Sequence, residues 1–190
     1  MTDMKGYFRS LGFSTAPDLE MLTGLTTTKS ISKGDYLIRE GSVCNQIVYI
    51  KEGILRSYFS KENGEEITYC ITFGNNLMTA LSSLITGNPT EENIQALTDM
   101  ELEVLEKEDL NRLYAKSHAW LKVGKMLTEI QYIELEKRMF LLQKHSARNR
   151  YETFVESHAN YLQYIPLQYL ASYLNVTPRH LSRLRRELVL

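Results

Sequence analysis

The sequence has no run approaching the roughly 18 consecutive apolar residues that a membrane helix requires, and its opening MTDMKGYFRS contains no apolar signal stretch. Nothing in it points to export or to a membrane partner, so the expected compartment is the cytoplasm. Cysteine is scarce. Cys44 and Cys70 are too few for a disulfide framework in a chain of 190 residues, and their number is ordinary for a reducing compartment. Both read as residues of a β-barrel rather than as redox sensors. There is no internal repeat and no low-complexity segment. With 43% hydrophobic and 24% charged residues the chain is neither disordered nor fibrous, and it is long enough for one or two cores.

Net charge is also small, −1 at pH 7, but it hides an imbalance. Residues 1–136 hold 13 Lys and Arg against 20 Asp and Glu, whereas residues 137–190 hold 9 against 3. A basic C-terminal end on an acidic body suggests that only this end meets a polyanion.

The first 25 residues read as short helices, with Pro17 at a helix start and Asp18 and Glu20 in the positively polarised first turn. From Thr26 onward, short runs rich in β-branched and aromatic residues are punctuated by Lys33-Gly34-Asp35, Glu40-Gly41-Ser42, Glu52-Gly53, Asn63-Gly64 and Phe73-Gly74-Asn75. That spacing predicts a compact antiparallel barrel or sandwich, with Ile47–Lys51, Ile54–Phe59 and Glu66–Phe73 as consecutive strands and Asn63-Gly64 as the clearest hairpin turn. Residues 77–91 read as a helical or irregular excursion. Asn93–Leu97 and Leu102–Leu105 then return to strand, and Glu108 and Asp109 open a short helix. From Ser117 to Gln143 helical spacing is sustained, with Val123, Met126, Leu127, Ile130, Ile133, Leu135, Met139 and Leu142 apolar. Gly124 costs such a helix about 1 kcal/mol relative to alanine, so packing on the barrel or on a second copy must support it. A long helix with an apolar seam favours a dimer.

The segment Ile165–Leu188 has the build of a helix-turn-helix. Leu170 and Leu174 stand one turn apart on a first helix from Leu167, and small Ala171 permits close approach of a second. Asn175 suits a left-handed turn. Thr177 can cap the second helix, Pro178 fits its first position, and Leu181, Leu184 and Leu188 form its buried stripe. At about 100° per residue, Arg179, Ser182, Arg183 and Arg186 then face outward. A guanidinium on the leading turns of such a helix can bond the O6 and N7 of guanine in the major groove. Arg179 and Arg183 are therefore assigned to base edges, with His180 a flanking third reader. Thr177, Ser182 and Arg186 are assigned mainly to phosphate, and Gln168 and Pro178 complete the candidate DNA-binding set. A run of arginines is most often only a solvated helix face. The coincidence of alanine, turn asparagine, cap and leucine spacing weighs against that reading here.

Taken in order, the glycine-punctuated barrel, long helix and C-terminal motif resemble the cyclic-AMP receptor protein/FNR (Crp/Fnr) family of bacterial transcription regulators. The resemblance covers residues 20–188 and is carried by Lys33-Gly34-Asp35, Glu40-Gly41, Tyr49-Ile50 with Gly53, Gly64, Gly74-Asn75 and the Leu167–Leu184 motif. It implies an α+β fold: an N-terminal cupin-like jelly roll of the cyclic-nucleotide-binding type (residues 1–115), a long dimerisation helix (116–145) and a C-terminal winged-helix-type helix-turn-helix (146–190). It further implies a homodimer on a near-palindromic operator in double-stranded DNA, with RNA polymerase and an unidentified small-molecule effector as further partners.

Three departures qualify the resemblance. Cyclic-nucleotide binders of the family place a glutamate on the ribose and an arginine on the cyclic phosphate. Here the corresponding stretches read Leu77-Met78-Thr79-Ala80-Leu81-Ser82-Ser83-Leu84 and Thr90-Glu91-Glu92-Asn93, with no such glutamate and with carboxylates in place of the arginine. Ordinary cyclic-AMP binding is not expected. Two cysteines cannot hold the iron–sulfur cluster of one family branch, and His118, His145, His158 and His180 all fall outside the strands, so no haem, metal or other cofactor is expected. Trp120 reads as core or interface. Finally, the sequence stops two residues past Leu188, so a wing would have to lie before the motif, around Asn160–Tyr164, or be missing. Arg148 and Arg150 would then carry more of the phosphate contact. Two other classes compete: a ligand-binding or protein-interaction module whose helix-turn-helix no longer touches DNA, and an enzyme in the barrel, for which no nucleophile, base and orienting group stand at convincing spacing.

Overall fold

The computed structural model describes residues 3–13 and 16–188. Two compact units emerge: residues 1–57 with 71–128, and residues 58–70 with 129–190.

The first unit holds most of the strands. In chain order they are β1 (Thr26–Ile31), β2 (Tyr36–Ile38), β3 (Gln46–Glu52), β4 (Ile54–Ser60), β5 (Glu66–Phe73), β6 (Asn76–Met78), β7 (Asn93–Ala96) and β8 (Met100–Glu106). They form two four-stranded sheets, ordered β1-β8-β3-β6 and β2-β7-β4-β5. This is the jelly-roll arrangement: neighbours in space are mostly distant in sequence, as when β1 and β3 both pair antiparallel with β8. Alternation along the strands sends Val48 and Ile50 of β3, Leu55 of β4, Ile94 and Ala96 of β7, and Leu102 and Val104 of β8 into one core. Removing such a side chain from water contributes about 1.5–3 kcal/mol each. The strands expected from glycine spacing are all present. β6 was not expected; only three residues long, it has no periodicity to detect and is held by pairing Val48, Tyr49 and Ile50 with Met78, Leu77 and Asn76.

Helices α1 (Met4–Ser10) and α2 (Ala16–Glu20) precede the strands, α3 (Leu81–Thr86) interrupts them, and α4 (Lys107–Lys116) follows. A second cluster lies on the outside of the β1-β8-β3-β6 sheet. There Met4, Phe8, Leu19 and Leu22 meet Tyr49, Leu105, Leu110, Leu113, Trp120 and Val123. Trp120 is fully buried and its indole N–H donates to the Asp18 carbonyl at 3.1 Å, so it is a core residue. Cys70 lies in β5 and Cys44 just before β3, buried in the barrel core; both are free thiols.

The long helix α5 (His118–Lys144) runs 27 residues. Gly124 is glycine for a reason of space: a Cβ there would lie 2.6 Å from Tyr114 Oη and 2.9 Å from its Cζ, so the missing side chain is what lets α4 pack against α5. Beyond Val123 the apolar positions are largely uncovered. Tyr132, Ile133, Leu135, Met139 and Phe140 are between 38% and 68% exposed, an apolar run left uncovered along the far half of the helix. Among the described residues no helix is long and apolar enough to cross a membrane.

The second unit contains the tip of the β4–β5 hairpin, the far half of α5, and α6 (Ala147–His158), α7 (Leu167–Tyr173) and α8 (Pro178–Glu187). Its core is Tyr151, Phe154, Ile165, Leu170, Ala171, Leu174, Leu181 and Leu184. Asn160–Tyr164, the stretch offered for a wing, lies in a 3₁₀ helix, Ala159–Tyr164, and not in a β-hairpin. The sequence ANYLQY has neither the glycine nor the two-residue Asn-Gly or Asp-Gly pair that tight hairpin turns favour.

Candidate nucleic-acid interface

Helices α7 and α8 pack at the leucines predicted for them. Leu170, Ala171, Leu174 and Leu181 are each at most 1% exposed, with Leu184 at 5%. Leu188 is only partly buried and caps α8 from outside the helix. Between the helices Asn175 takes φ = 53°, the left-handed conformation that asparagine tolerates better than most residues. The Val176 N–H then reaches the Ala171 carbonyl at 2.9 Å. Thr177 is the N-cap of α8. Its Oγ1 accepts from the His180 N–H at 3.2 Å, with Pro178 in the first turn, where its missing N–H costs nothing.

With that face inward, α8 turns Arg179, Arg183 and Arg186 to solvent, beside exposed Thr177 and Pro178; Ser182 and His180 are half-buried on its flanks. Arg183 Nε is 3.8 Å from Glu187 Oε1, a loose pair on an exposed helix that holds the guanidinium weakly. Gln168 is exposed on the first turn of α7. The eight candidate residues thus occupy the two helices and the turn between them. Arg185 is the one arginine of α8 placed differently: half-buried, with Nε and Nη2 out of contact with solvent.

Arg150 corrects the expectation that it reaches phosphate. It is 8% exposed on α6, and it donates from Nε to the Leu174 carbonyl at 2.9 Å, from Nη1 to that of His145 at 2.6 Å, and from Nη2 to that of Asn175 at 3.4 Å. The left-handed turn leaves carbonyls at the end of α7 without helical partners, and a buried guanidinium fork supplies the donors. A signal was present in the sequence, because Arg150 shares its face of α6 with apolar Tyr151 and Phe154. Arg138 of α5 does a related job. Its guanidinium lies 3.9 Å over the Tyr173 ring and donates to the Tyr173 carbonyl, and burial holds its pKa below the usual arginine range. Arg148, by contrast, is exposed and pairs with Glu152 at 2.9 Å.

His158 of α6 is a packing residue. His158 stacks on Phe154 with ring centroids 5.0 Å apart, and burial pushes its pKa below the usual histidine range. Among the described residues no group of three or more His, Cys, Asp and Glu could hold a metal. In the barrel unit, residues 77–84 fall on β6, α3 and their junction, Glu91 is exposed and Glu92 half-buried. A buried cation that the sequence reading missed is Arg56 of β4, 1% exposed, whose Nη2 donates to Gln95 Oε1 at 3.1 Å.

Residues 28–117 match the cyclic nucleotide-binding domain family. Among curated proteins none matches the chain. Solved structures do. FixK2 from Bradyrhizobium japonicum superposes with a TM-score of 0.77 at 18% identity, over 86% of this chain and 84% of that one. A crp/fnr-family structure from Eubacterium rectale gives 0.73 at 17%, over 97% and 88%, and the catabolite activator protein of Thermus thermophilus 0.59 at 18%, over 96% and 86%. Residues 28–117 thus match the cyclic nucleotide-binding domain family, and the chain as a whole shares the fold of these solved regulators.

Proposed function

We propose that this protein is a homodimeric, sequence-specific DNA-binding transcription regulator of the Crp/Fnr type, working in the cytoplasm and without catalytic activity. The observation that carries this reading is α8: a capped helix whose Leu181 and Leu184 are buried and whose Arg179, Arg183 and Arg186 are exposed in the most basic part of the chain. In the reading, α7 and α8 form the helix-turn-helix within a DNA-binding part at 146–190. Residues 1–115 are the sensor and 116–145 the connecting helix. The uncovered Tyr132, Leu135 and Met139, at spacings of three and four, supply the seam for a second copy. Two recognition helices would then sit about 34–36 Å apart, one turn of DNA. The sensor does not take cyclic AMP in the ordinary way, since residues 77–84 offer no carboxylate for a ribose and Glu91 and Glu92 repel a phosphate; its effector is a different molecule or none. RNA polymerase is the expected protein partner.

Selection of bound fragments from a genomic DNA pool by the purified protein, at one stated near-physiological salt concentration, tests this. Enrichment of a two-fold-symmetric sequence without cyclic AMP is the expected result. Enrichment only with cyclic AMP would overturn the sensor assignment. On the selected duplex, Arg179→Ala and Arg183→Ala should each cost about 1–3 kcal/mol of binding and relax discrimination at one base position, whereas Arg186→Ala should weaken all duplexes alike and flatten the salt dependence. Unchanged affinity in both base-reading variants would favour a binding module whose α7 and α8 no longer meet DNA.

A further inference from the structure

The β4–β5 hairpin tip, residues 58–70, belongs to the same compact unit as α7 and α8, and the bond that ties it there involves Ser172. Strand β5 ends its sheet in the order β2-β7-β4-β5, so its outer edge carries N–H and C=O groups with no strand beside them. Residues two apart along a strand direct these groups to the same edge. Ser172 of α7 uses both at once: its hydroxyl accepts from the Thr68 N–H at 2.9 Å and donates to the Glu66 carbonyl at 3.3 Å. One side chain thus does on the free edge what the next strand would do. On the adjacent position of α7, Tyr173 is held from α5 by Arg138, so the end of α7 is gripped at consecutive residues by two different elements.

We propose that Ser172 is a positioning residue, a latch that makes the β4–β5 hairpin and the α7–α8 pair move as one body. Through it, displacement of β4 and β5 is transmitted to the orientation of α8. In the proposed latch, the closed Ser172 bonds hold α8 with Arg179, Arg183 and Arg186 exposed, the arrangement that the DNA reading requires. The consequence for DNA rests on the function proposed above; the mechanical coupling does not.

Hydrogen–deuterium exchange on the full-length protein separates the two. In Ser172→Ala, exchange should accelerate about tenfold both at residues 66–70 and, remotely, at residues 177–187, while Ser172→Thr, which keeps the hydroxyl, should match the unsubstituted protein. Affinity of Ser172→Ala for the selected duplex should fall about five- to tenfold, with binding to a random duplex of equal length unchanged. Acceleration confined to residues 66–70 would reduce Ser172 to protection of a strand edge and overturn the latch, as would no change in either segment. Coupled acceleration with undiminished affinity for the selected duplex would overturn its positioning role. If no duplex is ever selected, the DNA reading fails on its own account, and exchange at residues 177–187 still decides the latch.

Discussion

Gly53→Ala is expected to destabilise the barrel by about 3–5 kcal/mol, a large part of the 5–15 kcal/mol that typically separates folded from unfolded protein. Gly53 joins β3 to β4 with φ = 116°, in the region L side chains avoid. A Cβ there would also lie 2.8 Å from Met100 Cβ and 2.8 Å from Thr98 Oγ1. Neither neighbour can yield cheaply. Met100 Cβ is fixed by its own backbone on β8, and the Thr98 hydroxyl accepts the Ile54 N–H at 3.1 Å, so pushing it aside frees a donor at the head of β4. The strain and the clash act together. At about 2–4 °C per kcal/mol for a chain of this size, the barrel transition should drop by about 10 °C in a circular-dichroism melt. A shift within about 2 °C would show that the turn can rearrange.

The second large effect falls on Arg150. Truncation to Met keeps most of the apolar stem but leaves the Leu174, Asn175 and His145 carbonyls without their shared donor, at about 1.5–3 kcal/mol for each good bond to a charged group and less than the simple sum for three. A loss of about 3 kcal/mol, followed by urea unfolding at 222 nm, is the expected result. Arg150→Lys should recover little of it, because one ammonium cannot span carbonyls on two sides of a turn. Two residues away on the same helix, Arg148→Ala should cost under about 1 kcal/mol, as an exposed pair does. Equal effects at 148 and 150 would contradict the distinction drawn between them.

That distinction marks where sequence reasoning stopped. Turn chemistry is local, so the glycine-bounded strands, the Asn175 turn, the Thr177 cap and the leucine stripe of α8 could all be read from residues within one or two turns of each other. The charge of Arg150 suggests a solvated side chain, yet the residue is buried. What buries it is a need created elsewhere, the unpaired carbonyls of a left-handed turn 24 positions on. The hairpin bond lay further out of reach. Thr68 and Ser172 are 104 positions apart, and no periodicity in either segment refers to the other. Of the candidate site, the exposed residues of α8 were legible because amphipathic spacing is a property of one helix. The residues that hold α8 in place were not, because they come from α5, α6 and β5.

One consequence follows for anyone wishing to isolate the C-terminal helices. The unit that contains them is discontinuous in sequence, drawing on residues 58–70 as well as 129–190. A cut at residue 146 keeps Arg150 and its grip on the turn, but it discards Arg138 from the Tyr173 ring and the hairpin from Ser172. No single excised stretch of the C-terminal half carries all three supports. The transplantable module is therefore larger than the motif, and a chimera that exchanges α7 and α8 must exchange the hairpin along with them.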